Sequence, residues 1–131
     1  MILVDTSIWI DFLIDPHRIA QTGVDTEEFV ICAPVAQEVL QGFANESLFA
    51  TFRERLLSFP CLSDPLPLSA FVRAGEIYRD GRRRGFTIRS AADCLIAAIA
   101  IDNDVPVWHR DRDFATIARY TPLKVLFRCL T

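Results

Sequence analysis

Three runs in this chain are apolar throughout and then stop on polar or helix-starting residues. They are Ile2-Leu3-Val4 before Asp5-Thr6-Ser7, Phe29-Val30-Ile31-Cys32 before Pro34, and Val105-Pro106-Val107-Trp108 before the loop from His109 to Asp113. Side chains alternate sides along a strand, so a strand that is apolar on both faces has to be covered on both. Each run hands over to helical spacing. Ile8 to Leu13 has a helical pattern that Asp15-Pro16 closes, and Pro34 starts a helix carrying Val35, Val39, Leu40 and Phe43, with Gly42 near its end. Phe114 to Arg119 is a short helix, and Lys124 to Phe127 reads as a last strand. Strands alternating with helices predict an α/β fold, a parallel-type sheet with helices on both faces.

Between these units, residues 46–58 keep helical spacing through Leu48, Phe49, Phe52, Leu56 and Leu57. Pro60, Pro65 and Pro67 break Cys61 to Leu68 into a short strand or a connection. Ser69 to Arg83 reads as a helix that Gly85 stops, and Ser90 opens a nearly all-apolar helix from Ala91 to Ile101. With 131 residues, 51% of them apolar, and no repeat, linker or like-charge block, one domain over residues 1–131 is expected.

Cys32, Cys61, Cys94 and Cys129 form no C-x-x-C pair, and three lie in apolar surroundings that suit buried thiols. That favours a reducing compartment. The opening apolar run ends at Asp5 without a basic leader, and Leu95 to Ile101 is too short to cross a bilayer, so a soluble, cytoplasmic protein is expected, with no membrane association. A net charge of −3 argues against coating nucleic acid by bulk positive potential. The basic residues are nevertheless almost all Arg, and Arg79, Arg82, Arg83, Arg84 and Arg89 fall together. Arg grips phosphate through a bidentate fork, so Arg82, Arg83, Arg84 and Arg89 are candidate substrate contacts, although the stripe also suits a solvated helix face.

In an open α/β sheet, ligands bind beyond the carboxyl ends of the strands, where Asp5, Asp111 and Asp113 should lie. Taken singly, each acid has an ordinary role. Asp5 suits an N-cap, Asp111 and Asp113 suit a turn and a cap before Phe114, and Ser90-Ala91-Ala92-Asp93 has capping-box spacing. Glu38 suits the polar side of its helix. As a set the acids would repel one another or stay protonated, and a divalent cation resolves that conflict. Oxygen ligands without paired His or Cys match Mg²⁺ or Mn²⁺, ions that work on phosphates. His17 and His109 suit surface or loop positions. Trp9, Phe12, Phe43, Phe49 and Phe52 recur at helical spacing that suits core or interface packing, with Trp9 and Phe12 fitting a partner surface.

The opening Ile2-Leu3-Val4-Asp5-Thr6-Ser7, the helix Pro34 to Gly42, the stretch Ala91 to Ala98 and His109-Arg110-Asp111-Arg112-Asp113-Phe114 stand in the order and rough spacing of PIN domains. More narrowly, the chain resembles VapC-type toxins of bacterial toxin–antitoxin pairs, over essentially its whole length. The resemblance implies a three-layer α/β/α sandwich with a central, mostly parallel sheet. It also implies a Mg²⁺- or Mn²⁺-dependent endoribonuclease that acts on RNA, forms a homodimer and is inhibited by a cognate antitoxin protein. By position, Asp5, Glu38 and Asp93 match the first three family acids, and Asp111 or Asp113 the fourth. Ser7 matches a small polar residue that orients the first acid or its water. His109 and Arg110 match no family role.

Other classes use acids at strand ends. A Toprim-like site needs Glu on the first strand, where this chain has Asp5, and a receiver needs a Lys near the last strand, for which Lys124 is the sole candidate. A non-catalytic α/β binding domain that retains the acidic cluster is the remaining alternative, and the intact acid set argues against it.

Overall fold

The structure, a computed structural model, describes residues 1–126. In chain order it contains β1 (Ile2–Val4), α1 (Thr6–Ile14), α2 (Pro16–Ala20), a 3-10 turn (Thr26–Glu28), β2 (Phe29–Val30), α3 (Ala33–Gln41), α4 (Glu46–Leu56), α5 (Leu68–Arg83), α6 (Ala91–Asp102), β3 (Val107–Trp108), α7 (Arg112–Ile117) and β4 (Val125–Leu126). The strands form one parallel sheet in the order β2-β1-β3-β4, flanked by the helices. This is the α/β architecture that the apolar runs require.

Two differences from the sequence expectation have local causes. Pro16 ends α1 but also begins α2, because proline fits the first helical position and the Asp15 carboxylate accepts from the His17 N–H at 3.2 Å. The proline-broken stretch from Cys61 contributes one parallel bridge to Ile31 in place of a strand. The last strand covers Val125 and Leu126, while Phe127 and Cys129 lie outside the described residues. Of the remaining cysteines, Cys32 and Cys94 are buried free thiols and Cys61 is exposed.

The core is sealed on the α1 side by an aromatic cluster. Trp9 meets Phe12, Phe29 and Phe59 edge-on, with ring centroids 5.8, 5.6 and 4.8 Å away. Trp9 is 0% exposed and Phe12 is 8% exposed. That overturns the expectation that these two rings offer a docking surface: the apolar side of α1 is spent on the sheet and on Phe59. Phe43 and Phe52 pair at 4.7 Å in the α3–α4 region. Deep in the molecule, α6 buries Ile96 to Ala100, and its small residues let α5 approach with Ala70, Ala74 and Ile77 buried.

The aromatic cluster makes a stability prediction. Trp9→Ala should lower the unfolding free energy in a urea titration by about 3–5 kcal/mol, the range for removing a large buried aromatic. Phe49→Ala, at a half-buried position on α4, should cost clearly less.

Candidate active site: an acidic cleft at the strand ends

Two adjacent strands finish together. The Asp5 N–H donates to the Trp108 carbonyl at 2.9 Å, so the residue that ends β1 is level with the end of β3 and with the loop that follows it. Beyond β2 on the same rim, α3 leaves at Cys32 and carries Glu38 back toward α1. There the Thr6 hydroxyl donates to Glu38 Oε2 at 3.3 Å. The start of α6 supplies Asp93, and the start of α7 supplies Asp111 and Asp113. These elements surround a wide cleft of about 820 Å³ whose lining includes Asp5, Ser7, Glu38, Asp93 and Asp111, together with Arg89, Arg110 and Arg112.

The ordinary roles can now be judged acid by acid. Asp5 occupies the N-cap position of α1, and its carbonyl accepts from the Trp9 N–H at 3.0 Å, but its carboxylate makes no capping bond. Asp93 and Ser90 form no capping box: the Ser90 side chain caps nothing, and Asp93 Oδ2 is buried without a partner. Glu38 Oε1 is likewise buried and unpartnered. Asp111 is a genuine cap, accepting from the Asp113 N–H at 2.9 Å through Oδ1. Asp113 is held from behind, with Oδ2 accepting from the Arg89 N–H at 3.1 Å and Oδ1 3.9 Å from the Arg89 guanidinium. Only Asp111 of this pair lines the cleft.

Burial sets the electrostatics. Desolvation, and then the charges of Asp5, Asp111, Asp113 and Glu38, push Asp93 up to about 8. Asp5 is raised to about 6, mainly by burial and further by Glu38 and Asp111, against the opposing Thr6 N–H and Arg110. Asp93, Asp111 and Asp113 each offer a carboxylate oxygen within 4.8 Å of the others. An all-oxygen donor set with orphaned buried oxygens on Asp93 and Glu38 fits a hard divalent cation.

Several neighbours escaped the sequence. Thr6 fixes Glu38 from 32 residues away, a relation that no local pattern carries. Arg110 is tied to Asp11 at 2.9 Å and to the Ser7 carbonyl at 3.1 Å, which stands it at the cleft edge. His109 is in a loop, as expected, but is only 2% exposed and packs on Phe114, and burial lowers its pKa. His17 is exposed, on α2. Of the arginine stripe, Arg89 reaches the cleft, whereas Arg82 and Arg83 face a separate hollow with Arg79.

A PIN domain family model matches residues 2–120. The chain is 37% identical to VapC ribonuclease Mb1587 of Mycobacterium bovis and to Ribonuclease VapC11 of Mycobacterium tuberculosis, each alignment covering 95% of this chain and 96% of the relative. It belongs to the PIN-domain family, in its VapC branch. Solved structures repeat the fold of this PIN domain. A DNA-bound VapBC from Salmonella typhimurium superposes with a TM-score of 0.75 at 18% identity, covering 98% of both chains. A toxin-antitoxin complex from Klebsiella pneumoniae gives 0.71 at 20% identity, covering 95% of this chain and 99% of the other.

The raised carboxyls give the PIN domain a signed pH dependence. Between the ordinary carboxyl value of 3.8 and about 8, folded Asp93 holds a proton that the unfolded chain releases, so without metal its contribution to stability falls as pH rises through that window. The thermal midpoint in EDTA should therefore drop between pH 5 and pH 8, and Asp93→Asn should flatten most of the decline. An unchanged slope in Asp93→Asn would show that the carboxyl is not the titrating group.

Proposed function

We propose that this PIN domain is a Mg²⁺- or Mn²⁺-dependent endoribonuclease, a hydrolase that acts as the toxin of a toxin–antitoxin pair, with Asp5, Glu38, Asp93, Asp111 and Asp113 as its catalytic acids. The carrying observation is the desolvated carboxylate cluster with unpartnered oxygens on Asp93 and Glu38, in a chain whose 37% identical relatives are named ribonucleases. Asp5, Asp93, Asp111 and Asp113 are the residues that would hold the cation. When bound, it neutralises the acids, attracts a phosphate oxygen and acidifies an attacking water.

The chain's own residues then have distinct tasks. The β1–β3 pairing holds Asp5 at the rim, and Thr6 fixes one oxygen of Glu38 while the other stays free. Asp113, anchored on the Arg89 N–H, keeps the Asp111 turn in place, which leaves Asp111 Oδ2 for the cleft. Ser7 lines the cleft beside Asp5. Arg89, Arg110 and Arg112 meet phosphate oxygens and screen them from the acids. Arg82, Arg83 and Arg84 extend that basic contact beyond the cleft. Water attacks phosphorus in line, the bond to the leaving ribose oxygen breaks, the water proton leaves with solvent or that oxygen, and no side chain becomes covalently attached.

Cleavage of a mixed RNA pool by purified protein tests this. Activity should require Mg²⁺ or Mn²⁺, stop in EDTA, and fall by about 100-fold or more in Asp5→Asn and in Asp93→Asn, since each removes a charged ligand. A folded wild type that binds no divalent ion and cuts nothing, or variants that cut as well as wild type, would leave the acids as turn and cap residues of a binding domain.

Two protein partners and a cytoplasmic location complete the proposal. A cognate antitoxin would approach the acids along the hollow lined by Pro34, Gln37, Leu66 and Ser90, which shares Glu38 with the cleft. A second copy would cover α5, where Leu68, Phe71, Val72 and Tyr78 are 78, 48, 53 and 39% exposed beside an apolar groove of about 480 Å³. Phe71→Glu combined with Val72→Glu should then convert a dimer to a monomer in sedimentation velocity without lowering helix content. A wild type that is monomeric at high concentration would remove the second copy from the proposal.

A further inference from the structure

At the C-terminal end of α5, Arg79, Arg82, Arg83 and Arg84 are in no ion pair among the described residues, with Glu76 and Asp80 the acids on the same stretch of helix. Among the described residues, Arg18, Arg73, Arg89 and Arg110 are ion-paired with Asp11, Asp102, Asp113 and Asp11, whereas Arg53, Arg55 and Arg112, and the group Arg79, Arg82, Arg83, Arg84 and Arg119, are in no ion pair. Arg79, Arg82 and Arg83 line a hollow of about 270 Å³. Beside them, Phe86 stacks on Tyr120 with centroids 5.6 Å apart and ring planes 17° from parallel. The Arg84 guanidinium lies 5.8 Å from the Tyr120 ring and that of Arg119 lies 4.7 Å from the Phe86 ring. Tyr120 is itself fixed, donating its hydroxyl to the Ile77 carbonyl at 2.8 Å and closing on Gly81, where a side chain would collide with it.

The helix dipole favours the basic residues of its last turn, Arg82 and Arg83. It does not account for Arg79, which precedes that turn, or for Arg119, which reaches the stack from beyond α7. Against Glu76 and Asp80 the arginines leave a net positive patch that suits a polyanion, and a guanidinium resting on a ring loses less freedom when it binds phosphate.

Two paths measure how far this surface is from the acids. From Asp111 to Arg119 the chain advances eight residues, six of them in α7, about 12 Å at helical rise. From Arg84 to Arg89, which holds Asp113, it runs for five residues, at most about 17 Å when extended.

We propose that Arg79, Arg82, Arg83, Arg84 and Arg119, set around the Phe86–Tyr120 stack, form a second phosphate-binding surface that grips the RNA strand a few nucleotides away from the acidic cleft. The identity of the ligand rests on the nuclease proposal above. The surface is built for the sugar-phosphate backbone, so it sets affinity and the minimum substrate length, while the acids carry the cleavage step.

Fluorescence anisotropy in EDTA, with labelled mixed-sequence single-stranded RNAs of twenty and of four nucleotides, tests the surface without any cleavage. Arg82→Gln combined with Arg83→Gln, and separately Arg119→Gln, should weaken binding of the long strand by about tenfold or more. Each should also flatten its salt dependence by about 0.7 in log–log slope for every phosphate that the variant no longer neutralises, with thermal midpoints unchanged. The four-nucleotide strand should bind all proteins alike. In steady-state cleavage of the long strand, KM should rise and kcat should hold. Wild-type affinity and salt slope in both variants, or no binding of the long strand by the wild type, overturns the second surface even if the protein cuts RNA. Arginine-dependent binding in a protein that cuts nothing keeps the surface and overturns the nuclease proposal.

Discussion

The hydrogen bond from the Asp5 N–H to the Trp108 carbonyl aligns the ends of two neighbouring parallel strands, and the acidic rim depends on that alignment. Parallel strands expose all their carboxyl ends on one side, so every segment leaving the sheet there begins from the same edge. Asp5 stands at the end of β1, Asp111 and Asp113 follow β3, and Glu38 returns on the helix after β2. A sheet this short can hold the register because β2, β3 and the end of β1 are buried, with Phe29 packed against both Trp9 and Trp108. Slipping one residue would turn each side chain to the opposite face.

That geometry concentrates acid groups where water is scarce. The first turn of α6 brings the favourable end of a helix dipole to Asp93, worth about 0.3–1 kcal/mol in exposed sites. Burial and four neighbouring acids still carry its pKa to about 8, so the dipole is the smaller effect by a clear margin. Cations already present relieve only the edges. Arg89 lies behind Asp113 and Arg110 pairs with Asp11, while Asp93 and Glu38 keep buried oxygens without partners. The site is therefore arranged for something that arrives from outside.

Periodicity made the architecture legible, because fully apolar runs of three or four residues between helical patterns have few solutions. Side-chain purpose was far less legible. Asp5 and Asp111 have the same sequence signature, an acid ahead of a helix, yet Asp111 caps its helix and Asp5 does not. Ser90 and Asp93 have capping-box spacing and make no box, because Asp93 turns toward the other acids. Pro16 is both a stop and a start, which hid α2. Thr6, Asp11 and the burial of His109 and Trp9 depend on partners that only the folded chain supplies.

The proposed function asks an acidic protein to approach a polyanion, and the arginines offer a way. With 17 acidic residues against 14 basic ones, long-range attraction to nucleic acid is absent, and exposed acids spread over the surface would repel it. Screening confines such repulsion to about 8–10 Å at physiological salt, so the local composition of the contact surface decides the outcome. Here the acids of the cleft are recessed, with Asp5 and Asp93 buried, while the guanidiniums of Arg89, Arg110 and Arg112 stand at the exposed edge. A strand approaching the cleft meets positive charge first and carboxylate last. Reversing that order would leave the same composition and the same fold, but the acids would face the phosphates unscreened.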